Sequence, residues 1–142
     1  MILYLDTSAF LKLHVAEPES PQMHEANAMA QAAYTHLLAY AEMRASLAKA
    51  VRERRISADD LPHLVAAFED DWKELRSVEV SEELIRRAGD LAQQFGLRGY
   101  DGVHLAAAEA VWRVLPGVDF RVAVFDGKLA DAVRGLGMTA LG

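Results

Sequence analysis

Apolar residues in this chain fall into two patterns: short unbroken runs, and longer stretches in which they recur every three or four positions. The clearest runs are Ile2-Leu3-Tyr4-Leu5 and Phe120-Arg121-Val122-Ala123-Val124-Phe125. Runs this apolar suit strands covered on both faces, as in a parallel sheet flanked by helices. Each ends on an aspartate, Asp6 and Asp126. Ala33-Tyr34-Thr35, Leu75 to Val80 and Met138 to Leu141 read as further short strands. Between them the helical period dominates. A short helix is expected from Ser8 to about His14, and another from the Glu17-Pro18-Glu19-Ser20-Pro21 break to about Gln31. The spacing of Leu37, Leu38, Ala41, Ala45, Ala48 and Val51 predicts a helix from Leu37 to about Arg54. Ser57 and Ser81, each followed by acids, read as caps opening helices that run to about Lys73 and to Gly96. Gly96 reads as a stop. An alanine-rich helix follows from Gly99 to near Pro116, and a last one from about Lys128 to Gly135. Alternation of this kind implies an α/β fold, with a mostly parallel central sheet, right-handed crossovers and helices on both faces.

The length of 142 residues and the lack of any repeat or long linker predict a single domain, 1–142. Cysteine is absent, which excludes disulfides and thiolate metal sites and suits a reducing cytoplasm. The start of the chain lacks the basic, then apolar pattern of a secretory signal, and no stretch is long enough to span a membrane. A cytoplasmic protein is therefore expected. The formal net charge of −6 argues against a domain that holds nucleic acid by bulk electrostatics. It leaves room for a nucleic-acid enzyme whose carboxylates are offset locally by bound cations.

The two strand-end aspartates direct attention to one edge of the sheet, because ligands of open α/β sheets bind at the carboxyl ends of the strands. A carboxylate leaving a buried strand is costly unless solvated, paired or metal-bound. The adjacent hydroxyls of Thr7 and Ser8 can orient Asp6. For Asp6, Asp126 and Asp101 the plain alternative is a helix cap or a first-turn acid, and for Glu42 a solvated helix position. The combination says more than its members. Two acids from strand ends and two from helices can converge on that edge, where a pair of charges about 4 Å apart costs roughly 4 kcal/mol at an effective dielectric of 20. Such a cluster needs protons or cations, and oxygen-only ligands suit Mg²⁺ or Mn²⁺. His104, one helical turn after Asp101, reads as a packed histidine rather than an acid–base group. Tyr100 and Trp112 also read as packing groups.

Four segments then show a resemblance. Leu3-Tyr4-Leu5-Asp6-Thr7-Ser8-Ala9, Ala41-Glu42-Met43-Arg44, Leu97 to Ala106 around Asp101, and Phe125-Asp126-Gly127-Lys128-Leu129-Ala130 occur in order and span nearly the whole chain. Together they resemble the PIN-domain ribonucleases, in particular the VapC-like toxins of toxin–antitoxin pairs. Two positions depart from that pattern: Gly102 where alanine is common, and Val124 where threonine or serine is common. The resemblance implies an α/β/α sandwich and an acidic quartet of Asp6, Glu42, Asp101 and Asp126 as metal ligands and catalytic residues, with Ser8 as a supporting hydroxyl. It implies Mg²⁺, with Mn²⁺ as a substitute, and endonucleolytic cleavage of RNA. Arg44, Arg98 and Lys128, beside the acids in sequence, are candidate contacts to RNA phosphates. It also implies an antitoxin partner, and a homodimer or antitoxin surface on the apolar helical pair from Leu37 to Lys73. Competing readings are a non-catalytic RNA- or protein-binding relative and a phospho-acceptor domain. The latter fits poorly, because Leu5 precedes Asp6 and Ser8 stands where a second aspartate is wanted.

Overall fold

The structure is a computed structural model and describes residues 1–142. Strands β1 (Ile2–Leu5), β2 (Ala32–His36), β3 (Arg76–Val78), β4 (Phe120–Ala123) and β5 (Thr139–Leu141) form one sheet in the order β3-β2-β1-β4-β5. Every neighbouring pair is parallel, with Ile2 opposite both Ala32 and Phe120, and Leu5 opposite Ala123. β1 is central, which explains its unbroken apolar run. Its alternate side chains divide between two cores. Leu3 and Leu5 pack with Phe10, Met23, Met43, Leu47 and Phe68, contributed by α1 (Thr7–Leu11), α2 (Ser20–Met29), α3 (Ala39–Arg52) and α4 (Leu61–Glu74). Tyr4 packs on the other face with Leu91, Leu105 and Val133, from α5 (Glu82–Phe95), α6 (Gly99–Arg113) and α7 (Gly127–Gly135). The result is an α/β/α sandwich.

The chain steps outward from β1 through β2 to β3, then crosses back to β4 and β5. Crossovers of one hand must change face when the direction of travel reverses, which is why α1–α4 lie on one side and α5–α7 on the other. The reversal leaves a crevice between β1 and β4, where neither crossover covers the strand ends. That is the topological switch point at which open α/β sheets bind ligands.

Several element ends differ from the sequence expectation. The Ser57 hydroxyl accepts from the Asp59 N–H in a turn, and α4 begins only at Leu61, beside Pro62. Ser81 does cap α5, accepting from Leu84 N–H at 3.1 Å, and Gly96 ends that helix with φ +66°. β3 is three residues rather than six because its outer side is a sheet edge. β4 stops at Ala123, and Val124 adds one further bond to Leu141, so Asp126 stands just past the strand. In α4, Phe68 is wholly buried, while Leu61, Leu64, Val65 and Trp72 pack partly buried against the same core, so this apolar face is largely internal. Trp112 packs as expected, but Tyr100 is 62% exposed and is not a packing group.

Gly102 has a clear physical reason. A Cβ there would lie 2.6 Å from the Ala88 carbonyl oxygen and 3.1 Å from the Ala92 methyl. The missing side chain lets α6 approach α5 closely, one residue beyond Asp101. Val124 is fully buried in the core of the α5–α7 face, which accounts for an apolar residue there.

Candidate functional site

The carboxyl edge of β1 and β4 opens into a polar pocket of about 530 Å³ lined by Asp6, Glu42, Asp101 and Asp126 together with Ser8. The four acids arrive from four different elements. Asp6 leaves β1 and caps α1, its Oδ1 accepting from Ala9 N–H at 2.7 Å. Asp126 does the same after β4, capping α7 through Leu129 N–H at 2.9 Å. Capping and site-building are thus one arrangement: the cap fixes one oxygen of each carboxylate and leaves the group at the pocket. Glu42 and Asp101 lie in the first turns of α3 and α6.

The environments of the acids differ. Asp6 is 5% exposed. The Ser8 hydroxyl reaches both of its oxygens, at 2.9 and 3.0 Å. Burial raises its carboxyl above the usual aspartate range, a shift opposed by His104, Ala9 N–H and Ser8 and reinforced by Asp101. For Glu42, burial also pushes upward, but hydrogen bonding and charge from His104, with the Thr7 hydroxyl, outweigh it and hold the group below the usual glutamate range. Thr7 donates to Glu42 Oε1 at 3.0 Å, and His104 Nε2 lies 3.1 Å from the same oxygen. Thr7 therefore serves Glu42 rather than Asp6. Asp101 pairs with the exposed Arg98 at 3.4 Å.

Of the basic residues picked from sequence, Arg98 lines the pocket, and Arg44 and Lys128 do not. Arg44 is turned to Glu69 at 3.6 Å and to the Tyr40 hydroxyl at 3.0 Å. Lys12 and Lys49 take their place in the lining, with Ser46 and His104. Lys12 is buried, pairs with Glu19 at 2.9 Å and lies 5.1 Å from the Phe125 ring centre. Helical spacing carries a signal for two of these. Ser46 and Lys49 follow Glu42 by four and seven positions and so share its face, whereas Arg44, two positions on, points away.

As the side chains stand, no three acidic or histidine groups are gathered tightly enough to grip one ion. The donor chemistry nevertheless fits a hard cation. The pocket offers carboxylate oxygens and a hydroxyl, with no thiolate. The most buried of the four pocket acids, Asp6, has hydrogen-bond donors but no lysine or arginine partner, which leaves its charge to be met by something else.

Comparison with known proteins agrees with this geometry. The family model for the PIN domain matches residues 3–111. A curated relative, ribonuclease VapC45 of Mycobacterium tuberculosis (strain CDC 1551 / Oshkosh), is 38% identical over 136 residues, covering 96% of this chain and 92% of its own. Among solved structures, a toxin–antitoxin complex from Klebsiella pneumoniae superposes with a TM-score of 0.69 at 16% identity, covering 99% of this chain and 96% of that one. Mycobacterium tuberculosis VapC20, described as a sarcin–ricin loop cleaving toxin, gives 0.67 at 16% identity, covering 92% and 94%. At such identities the two structures speak for the fold.

Proposed function

Because the chain belongs to the PIN-domain family and is similar along nearly its whole length to VapC ribonucleases, we propose that it is a Mg²⁺-dependent endoribonuclease and the toxin of a toxin–antitoxin pair. We take residues 1–142 as one nuclease domain, acting in the cytoplasm. The observation that carries this reading is the convergence of Asp6, Glu42, Asp101 and Asp126 from four elements on one pocket at the switch point.

In this reading the four carboxylates hold Mg²⁺, with Mn²⁺ able to substitute. When bound, the ion supplies charge stabilisation for the phosphodiester and makes a water molecule more acidic. The chain's own contribution is positional. Asp6 is pinned by Ala9 N–H and Ser8, so its carboxylate need not search for its orientation. Glu42 is kept ionised and aimed by Thr7 and His104. Arg98 and Lys49 stand at the pocket, where they meet the RNA backbone as positioning charges without reading sequence. Addition of water across the P–O3′ bond leaves a 5′-phosphate and a 3′-hydroxyl. An antitoxin and a second copy of the chain are the proposed protein partners.

The test is cleavage of a panel of RNAs by the purified chain with Mg²⁺ or Mn²⁺ against EDTA. Cleavage that needs the ion and is abolished in Asp6→Asn supports the reading. Equal cleavage in EDTA or by the variant overturns it, and retention of RNA without cleavage replaces it with a non-catalytic binding module.

A further inference from the structure

Behind the pocket a second set of polar side chains is buried that the acidic quartet does not explain. His104 is 4% exposed and Tyr4 is fully buried, yet both project polar atoms inward. The Tyr4 hydroxyl lies 2.9 Å from His104 Nδ1. On the other side of the ring, Nε2 lies 3.1 Å from Thr7 Oγ1 and 3.1 Å from Glu42 Oε1. Thr7 in turn donates its hydroxyl to Glu42 Oε1 at 3.0 Å.

The carboxylate fixes the direction of the bonds that end on it. An ionised carboxylate only accepts, so the Thr7 proton goes to Glu42. Thr7 Oγ1 is then left to accept from His104 Nε2, which must carry the ring proton and share it with Glu42. The Tyr4 hydroxyl anchors the other ring nitrogen, Nδ1, at 2.9 Å. The bonds link Tyr4 through the His104 ring to Glu42, ending in donation from Nε2–H to the carboxylate. Tyr4 comes from the central strand, and edge-on packing of the two rings, with centres 6.0 Å apart, holds the imidazole plane.

We propose that Tyr4 and His104 form a buried strut that positions Glu42, with Tyr4 holding the imidazole so that Nε2–H points at the carboxylate. Neither side chain touches substrate; both act through Glu42. This rests on the metal-dependent reading, in which Glu42 is a ligand. Such outer partners of a metal ligand fix its orientation, and their loss costs about 10- to 100-fold in metal affinity or activity.

The experiment measures Mn²⁺ affinity by calorimetry on the wild-type chain and on His104→Leu, His104→Gln and Tyr4→Phe, each confirmed folded by its melting curve. The glutamine amide places an N–H donor where Nε2 stood. His104→Leu is expected to bind Mn²⁺ about 10- to 100-fold more weakly, His104→Gln to recover most of the loss, and Tyr4→Phe to fall between them. Combined with His104→Leu, Tyr4→Phe should add almost nothing. Nitrogen NMR of the metal-free wild-type chain should show His104 protonated on Nε2. Unchanged affinity in folded His104→Leu, no recovery in His104→Gln, or a ring without a proton on Nε2 overturns the strut while leaving the ribonuclease reading intact. Wild-type protein that binds no Mn²⁺ overturns both.

Discussion

Asp6 carries two opposed demands. Burial raises its carboxyl, so in the metal-free chain the fold favours the neutral acid. The sign follows directly. Above the raised folded value Asp6 is charged in both folded and unfolded chains, and its burial cost is fully felt. Below the unfolded value of about 3.9 it is neutral in both, and the cost is gone. Asparagine keeps a side-chain oxygen for the Ala9 N–H cap and carries no charge. Asp6→Asn is therefore expected to melt at a higher temperature than the wild-type chain in EDTA at pH 7–8. The advantage should shrink as the pH is lowered through the folded pKa and vanish below the usual aspartate range. If the chain is the proposed Mg²⁺-dependent ribonuclease, the same variant should lose at least about a hundredfold in cleavage, since ligation is then asked for several kcal/mol of transition-state stabilisation. Scanning calorimetry in EDTA and a cleavage time course check the pair, and a variant less stable than wild type at pH 8 would contradict the account. The placement of the acids was readable from sequence because it depends on where strands end and helices begin. The basic residues were not. Arg44 and Lys128 are near the acids in sequence, but their helical phase turns them away, and the buried Lys12 reaches the pocket through a turn after α1 that no periodic pattern describes.

At the scale of elements, the α5–α6 contact locates Asp101. The two helices pack tightly because Gly102 presents no side chain to the Ala88 carbonyl. Backbone cannot yield as a flexible side chain can, so Gly102→Ala must push α6 outward. The expected cost is about 1–3 kcal/mol of stability, typical of overpacking. Asp101 precedes Gly102, so the same displacement should weaken Mn²⁺ binding. Urea unfolding and calorimetry measure the two effects, and a variant at wild-type stability would show that the helices can part freely. The two predicted serine caps make a second comparison. Ser81→Ala should cost about 1 kcal/mol, because its hydroxyl serves an N–H of α5. Ser57→Ala should cost clearly less, because its hydroxyl serves a turn ahead of α4. Sequence could not separate them. Both serines precede acids, and only the Pro62 backbone and the packing of Leu61 and Leu64 decide that the second helix starts later.

At the scale of the molecule, the strand order brings Asp6 and Asp126 together. The apolar runs announced parallel strands, but the adjacency of β1 and β4 is a long-range fact, settled by which core each strand face joins. That placement sets carboxylates around one pocket in a chain whose formal charge is already −6. If the carboxylates there hold a divalent cation, the ion binds the folded chain and scarcely the unfolded one, where the acids are dispersed. Stability must then rise with ion concentration by mass action, by about 2.7 kcal/mol at a hundred times the dissociation constant. For a chain near this size that is roughly 5–10 °C in melting temperature. Mg²⁺ and Mn²⁺ should both raise the melting point in proportion to the logarithm of concentration, and EDTA should reverse the effect. NaCl at matched ionic strength should do much less, because screening relieves repulsion without filling a site. Asp6→Asn combined with Asp101→Asn should abolish the divalent increment while retaining the response to NaCl. Equal stabilisation by NaCl and MgCl₂, or an increment that survives the double variant, would mean that the pocket holds no specific cation and that the acids at this edge serve only as helix caps and first-turn acids.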